Sequence, residues 1–312
     1  MLKESNIKEA LNEQDGLHIW WRLLRPHTLT ASFVPVFVGT MLAWIDGHLH
    51  VLLLAAMLLA SILIQSATNM FNEYYDFVGG IDTEHSVGIG GTIVRDGISP
   101  KTVLNLALIF YGISILLGIY ICIASSWWIA VIGLICMAFG YLYTGGPFPI
   151  SRTPFGELFA GFFMGTVIIG ISYFIQSGTL HADIIYISIP VAILIGCLNF
   201  ANNIRDHDGD KENGRKTLAI LLGQKRAIFL LSILFILSYA LTIFYIIIGV
   251  LPIWSLLVLL SAKKAIEVIK KFKGKKNPIE MMPAMAATGK TNTIYGMLLG
   301  ISLLISKLIK LF

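Results

Sequence analysis

The segment 202–219, NNIRDHDGDKENGRKTLA, puts four acidic residues within seven positions directly after an apolar run. Asp206, Asp208, Asp210 and Glu212 repel one another and are driven toward protonation unless cations lie nearby. The chain around them is 312 residues long, 56% hydrophobic and only 13% charged, with a mean hydropathy of +0.79. A soluble domain carries roughly 25% charged residues. The acids therefore mark a point where a greasy chain leaves a membrane.

Working outward, apolar stretches of about 20 residues, the length that crosses a bilayer, recur at 28–45, 51–72, 103–124, 127–146, 155–176, 184–202, 227–247, 250–266 and 291–311. Gly249 and Pro252 supply a turn that divides the seventh span from the eighth. With an inside N-terminus, residues 1–27 and the connections after spans 2, 4, 6 and 8 hold 21 of the 23 Lys and Arg residues, helix ends included. The opposite connections, DGHLH, SS and QSGTLHAD, hold none, and only Lys307 and Lys310 remain for the outer side. Basic residues gather on the cytoplasmic side of membrane proteins. The expected fold is all-α: a polytopic protein of about nine transmembrane helices around a central cavity open to the cytoplasm, forming one domain over 1–312. The net charge of +5 reports this topology and contact with anionic membrane lipids, as does the basic run in 263–290; it does not point to nucleic acid. Residues 1–20 are polar and lack an apolar signal core, so no cleaved signal peptide is expected. Cys122, Cys136 and Cys197 lie in apolar spans without metal spacing and read as small buried hydrophobes.

Of the 18 acidic residues, nine fall in two cytoplasmic windows: Glu73, Asp76, Asp82, Glu84 and Asp96 in one, Asp206, Asp208, Asp210 and Glu212 in the other. Gln65, Asn69, Asn72 and Asp76 recur at steps of four, three and four. Asn199, Asn202, Asp206 and Asp210 recur at three, four and four. On an α-helix such steps put each set on one face, and matching Asn72 to Asn202 implies an internal repeat. Polar stripes in a membrane helix face a cavity, so two that face each other make one site. Hard oxygen donors suit Mg²⁺, which takes one or two carboxylates plus substrate phosphate. Arg205, Lys211, Arg215 and Lys216 supply cations for phosphate oxygens. Asp208 and Glu212 lie off the striped face and read as solvated. His27, His85 and His207 form no metal-spaced set. Tyr143, in the YTGGPFP loop, faces the same side as both windows. A carrier is the competing class, but carriers place their polar groups near the bilayer midplane, whereas these stand at helix ends.

NEYYDFVGGID (72–82) and NNIRDHDGDKENGRKTLA (202–219) resemble the two Asp-rich motifs of the UbiA superfamily of intramembrane aromatic prenyltransferases. RPHTLTASFVPVFVGT (25–40) is similar to that family's first span, and YTGGPFPISRTPFGELFAG (143–161) to its central loop. Position 80 is glycine where the common first motif has a second Asp, and Asp82 takes that part. This spacing and the YTGGP loop look most like the branch that prenylates 1,4-dihydroxy-2-naphthoate in menaquinone synthesis. Branches using 4-hydroxybenzoate, homogentisate or haem are the alternatives. The resemblance implies a polyprenyl diphosphate donor, a dihydroxynaphthoate acceptor and Mg²⁺ in a cell membrane. It implies metal ligation by Asn72, Asp76, Asp82, Asn202, Asp206 and Asp210, and diphosphate binding by Arg205, Arg215, Lys216 and Arg152. Asp76, Asp206, Lys216 and Tyr143 would carry the catalysis, with Arg22, Arg25 and Tyr143 toward the acceptor.

Overall fold

Prolines and glycines punctuate the apolar runs where helices start and stop. The computed structural model describes residues 15–82 and 91–311, the side chains of Lys310 and Leu311 excepted. Glu84 and His85 lie outside the described residues. Helix α1 (Leu17–Leu24) precedes α2 (Pro26–Ile45), and α3 (Val51–Val78) is followed by α4 (Thr92–Asp96) and α5 (Pro100–Ala124). Next come α6 (Trp128–Leu142), α7 (Gly156–Ser177), α8 (Ala182–Arg205), α9 (His207–Glu212), α10 (Leu218–Leu222) and α11 (Gln224–Ile247). A 3-10 stretch, Ile253–Ser261, runs into α12 (Ala262–Phe272), and α13 (Pro278–Leu311) closes the chain. Pro26 and Pro100 sit in the first turns of their helices, where a missing N–H costs nothing. The described residues contain no strand.

Among the described residues, seven helices are long and apolar enough to cross a membrane: α2, α3, α5, α7, α8, α11 and α13. The protein is thus a multi-pass membrane protein. The expected count of nine is not reached, because the other two stretches do not form helices of spanning length and composition. The one at 127–146 is a helix of only 15 residues. The one at 250–266 opens as 3-10 helix and continues into the amphipathic AKKAIEVIKKF. Leu116, Ile123, Phe229 and Ile236 stay exposed on the outer faces, as expected of a belt that meets lipid tails.

The helices pack chiefly as α3 on α5, α2 on α13 and α7, and α8 on α11 and α7. Two glycines set the α7–α8 distance: a Cβ on Gly161 would come 2.5 Å from the Ala192 carbonyl oxygen, and one on Gly165 would come 2.5 Å from Ala192 Cα. Both lie in a π-helical segment of α7, Gly161–Val167. The connections at 47–50, 125–127 and 178–181 gather at one end of the bundle. There the His50 N–H donates to Gln176 Oε1 at 2.6 Å, and Lys307 Nζ donates to the Ile45 carbonyl at 2.9 Å. A cation at the last carbonyls of α2 offsets the negative end of its dipole. Both acidic windows stand at the other end.

Candidate active site

Helix α3 closes in a Schellman turn: Ile81 N–H donates to Asp76 O at 2.9 Å and Gly80 N–H to Phe77 O at 3.0 Å. Gly80 takes φ +69°, the left-handed conformation that such a C-terminus requires and that glycine adopts without penalty. The turn folds the chain back under its own helix, so that Asp82 N–H also reaches Asp76 O, at 3.1 Å. This explains the glycine at position 80. The residue that would carry a second carboxylate is needed for the turn, and the turn delivers Asp82 instead.

The second stripe does not lie on one helix as expected. Helix α8 ends at Arg205 and Asp206 (φ −89°, ψ 7°) caps it. The helical track nevertheless carries across the break, because Asp206 N–H donates to Asn202 O at 3.0 Å and Asp210 N–H to Asp206 O at 2.8 Å. Asp210 is buried, whereas Asp208 is 79% exposed at its side chain and faces His207. Glu212 is exposed.

The two windows meet at Arg215. One guanidinium nitrogen donates to Asp76 Oδ1 at 2.7 Å, and the other lies 3.2 Å from Asp210 Oδ1. Asp76 and Arg215 are 139 positions apart in sequence. Behind this junction a cavity of about 390 Å³ runs into the bundle, within the size range of small-molecule sites. Gln65, Asn69, Asn72, Asn199 and Asn202 all line it, so the two amide stripes do face a shared chamber. Its deeper wall is apolar and includes Phe139, Phe159, Phe163 and Met164. The Phe139 and Phe163 rings stack with centroids 4.3 Å apart.

Burial and crowding shape the acids' charge. The Asp82 carboxyl is pushed up to about 7, by burial first and by Asp76 next, with Arg25 opposing. Asp210 is also pushed up to about 7: burial dominates, Arg215 opposes, and Asp206 and Asp76 add to the rise. Asp210 Oδ2 is buried without a hydrogen-bond partner. Among the described residues, no three His, Cys, Asp or Glu side chains are grouped to enclose a metal by themselves. Arg215 stands between the carboxylates instead.

The expected cationic residues divide by location. Arg205 is 5% exposed and forks onto Asp206, with Nε to Oδ1 at 2.8 Å and Nη2 to Oδ2 at 2.6 Å. Arg152 and Lys216 are exposed. The Lys216 N–H donates to the Arg152 carbonyl at 2.9 Å, and the Arg152 guanidinium lies over Gly79, 3.4 Å from where a Cβ would stand. Arg22 pairs with Asp96 at 2.5 Å. Arg25 lines the cavity and lies 3.5 Å from Glu73 Oε2. Of the described non-glycine residues, Arg25 alone has positive φ, 51°, a strained conformation that typically persists at functional positions. Tyr143 lines the cavity, and its loop is pinned to the first window by a short hydrogen bond from Thr144 Oγ1 to Asn72 Oδ1.

Two acids stand out that spacing did not single out for a role. Glu73 is 1% exposed, and its Oε1 accepts from Thr92 Oγ1 at 2.6 Å and from the Ile93 N–H at 3.2 Å, which ties α4 to α3. Glu157 is 8% exposed and accepts from Asn203 Nδ2 at 2.8 Å. Glu157 opens an otherwise apolar span, the one signal that could have marked it.

Residues 32–285 match the UbiA prenyltransferase family. The chain is 55% identical to the 1,4-dihydroxy-2-naphthoate octaprenyltransferase of Bacillus subtilis (strain 168) over 288 residues, 92% of this chain and 93% of that protein. Among solved structures, the apo UbiA homolog from Aeropyrum pernix K1 superposes with a TM-score of 0.67 at 14% identity, covering 90% of this chain and 98% of that one. A UbiA homolog from Archaeoglobus fulgidus bound to GPP and Mg²⁺ gives 0.64 at 15% identity, covering 92% and 99%. At these identities the two structures establish the shared fold.

Proposed function

The chain belongs to the UbiA prenyltransferase family, and we propose that it transfers a polyprenyl group from polyprenyl diphosphate to 1,4-dihydroxy-2-naphthoate, releasing diphosphate and CO₂ and giving demethylmenaquinol. The observation that carries this reading is the meeting of both acidic windows on Arg215, at the mouth of an apolar cavity. A carrier would show its polar groups midway along the bundle. The Bacillus subtilis relative, by its name, acts on the same acceptor.

The donor set fits Mg²⁺. Asp76, Asp82, Asp206 and Asp210 with Asn72 and Asn202 offer oxygen only, and Asp210 Oδ2 is buried and unpartnered. Four carboxylates too dispersed to enclose an ion unaided match a metal that relies on substrate phosphate for its remaining ligands. When bound, Mg²⁺ neutralises the charge that gathers on the leaving diphosphate.

The chain's own residues do the rest. Arg215 offers the diphosphate a planar fork of donors, and Arg152 and Lys216 supply further charge at the rim. Arg205 holds Asp206 in orientation. The apolar wall keeps water from the allylic cation that forms when the C–O bond ionises. Tyr143 presents its ring or hydroxyl to that cation or to the acceptor, cation–π attraction being worth about 1–2 kcal/mol. Arg25, on the cavity wall, is better placed than Arg22 or Arg152, neither of which lines the cavity, to pair with the acceptor's carboxylate. The site opens to the cytoplasm, the membrane is the cell membrane, and residues 1–312 act as one unit.

The test is product mass spectrometry of the purified protein with Mg²⁺, dihydroxynaphthoate and prenyl diphosphates of several lengths. The expected product gains one prenyl group and lacks the carboxylate. A product that keeps the carboxylate, or a preference for 4-hydroxybenzoate, would overturn the acceptor assignment.

A further inference from the structure

The elbow between α1 and α2 is held by polar groups that metal and diphosphate binding leave idle. Arg25 stands at its corner, and the backbone around its φ of 51° is pinned. The Arg25 N–H donates to Arg22 O at 2.9 Å, and the Arg25 carbonyl accepts from the Thr28 N–H at 2.8 Å and from Thr28 Oγ1 at 2.9 Å. Asn69 Nδ2, on the amide stripe of α3, donates to Leu24 O and to Thr28 Oγ1, both at 2.9 Å. One turn further along α3, Glu73 meets the Arg25 side chain, with Nη2 3.5 Å from Oε2. Glu73 is 1% exposed, and a buried carboxylate is costly unless it is paired. Its Oε1 accepts from the Thr92 N–H, from Thr92 Oγ1 at 2.6 Å and from the Ile93 N–H at 3.2 Å, all on α4. Its Oε2 accepts no hydrogen bond and has the Arg25 guanidinium as its ion partner. At the other end of α4, Asp96 pairs with Arg22 at 2.5 Å, so α4 clamps both arginines of the elbow. Arg25 lines the cavity, and its Nε is buried with no hydrogen-bond partner. A guanidinium carries five N–H donors, so Glu73 leaves most of them to the cavity side.

We propose that Glu73 is a positioning residue of the acceptor site: clamped by α4, it fixes the Arg25 guanidinium on the cavity wall so that the remaining donors meet the carboxylate of an aromatic acid. The inference rests on the aromatic-acceptor reading above. Glu73 touches no substrate and acts through Arg25, and Thr92 belongs to the same unit because it holds Oε1. A second carboxylate beside Arg25 also weakens the pull of that charge on an incoming anion. Orientation outweighs this loss. A carboxylate takes two parallel N–H bonds from a guanidinium held in its plane, whereas an arginine left free to swing gives up rotamer entropy when it binds. The two effects have opposite signs. If Glu73 were only a nearby charge, its removal would make Arg25 a stronger anion binder. If Glu73 positions Arg25, its removal makes the site a weaker one.

The experiment measures equilibrium binding of 1-hydroxy-2-naphthoate and of 1-naphthol, which lacks the carboxylate, to the full-length protein in nanodiscs with Mg²⁺. Wild type is compared with Glu73→Gln, Arg25→Gln and the double variant. Wild type binds the carboxylate probe more tightly. Glu73→Gln keeps the side-chain shape and an oxygen for α4. It lowers affinity for 1-hydroxy-2-naphthoate by roughly 10–10²-fold, the scale of a misplaced binding group, and leaves 1-naphthol binding and KM for the prenyl diphosphate unchanged. Arg25→Gln abolishes the preference, and Glu73→Gln added to it costs nothing further, as for two residues that act through one contact. An unchanged or tighter affinity for the carboxylate probe in Glu73→Gln overturns the inference. Equal weakening of both probes, the result of a merely structural role, overturns it too, as does a wild type that binds both probes alike. Should Glu73→Gln fail to fold, Thr92→Val decides. It removes the 2.6 Å hydrogen bond and keeps the Glu73 charge, so a loss confined to the carboxylate probe supports the inference and unaltered binding refutes it. A wild-type enzyme that makes no prenylated product overturns the function itself, a result kept distinct because the probes are read by binding alone.

Discussion

Arg215 stands between Asp76 and Asp210, and this makes the site's charge balance testable residue by residue. Removing either Asp76 or Asp206 takes away a charge on which the whole cluster depends. Asp76→Ala and Asp206→Ala are expected to lower turnover by roughly 10²-fold or more with the protein still folded in membranes. Asp208→Ala, at an exposed side chain paired only with His207, should stay within about twofold. Steady-state rates at saturating and at low Mg²⁺ check this, and near-normal rates in both severe variants at low Mg²⁺ would refute the site. A second prediction concerns pH. Asp82 and Asp210 rise to about 7 in the fold, against ~3.9 in an unfolded chain. Between those values the folded state holds more protons than the unfolded one. Their contribution to stability is therefore full below about pH 4 and is lost as pH rises through 7. The metal-free protein should melt lower at pH 8 than at pH 5.5, and Mg²⁺ should raise the melting temperature more at pH 8. A metal-free melting temperature that climbs over that range would contradict the assignment. Asp76, Asp206 and Asp210 were legible in the sequence because local spacing aligned them. Glu73 and Glu157 were not, since their partners Thr92 and Asn203 arrive from other elements and carry no local pattern.

Helix ends and close crossings decide how those residues are held. A Cβ on Gly80 would meet no atom within 4 Å, so the position is constrained by its φ of +69° alone. Gly80→Ala therefore costs about 1–2 kcal/mol in the left-handed region, borne by the turn that presents Asp82. Mg²⁺ affinity, measured by titration calorimetry, should drop more than the melting temperature; unchanged affinity would remove Asp82 from the ligand set. The contrast between Gly165 and Gly112 tests the α7–α8 crossing. A methyl at Gly165 runs into the Ala192 backbone, whereas one at Gly112 meets open space. Gly165→Ala should lower the melting temperature and the yield of folded protein, and Gly112→Ala should be neutral or slightly stabilising. Equal behaviour would show that the helices can part at no cost. The seven long apolar helices were readable because length and hydropathy are properties of a local window. The break at Asp206, the π segment in α7 and the 3-10 opening before α12 were not. Each depends on what an element packs against, and a periodic pattern such as Asn199, Asn202, Asp206 and Asp210 continues through such a break unaltered.

At the scale of the whole molecule, what has to be right is which end of the bundle faces which solution. The sequence carries an expectation here, because charge counts survive without coordinates. Lys263, Lys270, Lys273 and Lys276 lie exposed at the acid-rich end, while the far end offers Asp46, His48 and His50. Lys307, a rare basic residue there, is spent on the Ile45 carbonyl. By the positive-inside rule the asymmetry predicts that the acid-rich end faces the cytoplasm, where an anionic leaflet would hold it through about 1 kcal/mol per basic residue near the surface. In the proposed orientation, the same asymmetry places Arg152, Arg215 and Lys216 on the cytoplasmic side. In a background with Cys122, Cys136 and Cys197 replaced, His48→Cys and Lys273→Cys put a single thiol at either exposed end. A membrane-impermeant thiol reagent applied to intact cells should label His48→Cys at once and Lys273→Cys only after permeabilisation. Labelling of Lys273→Cys in intact cells would turn the molecule over, and its acids, arginines and cavity mouth would then open to the outside.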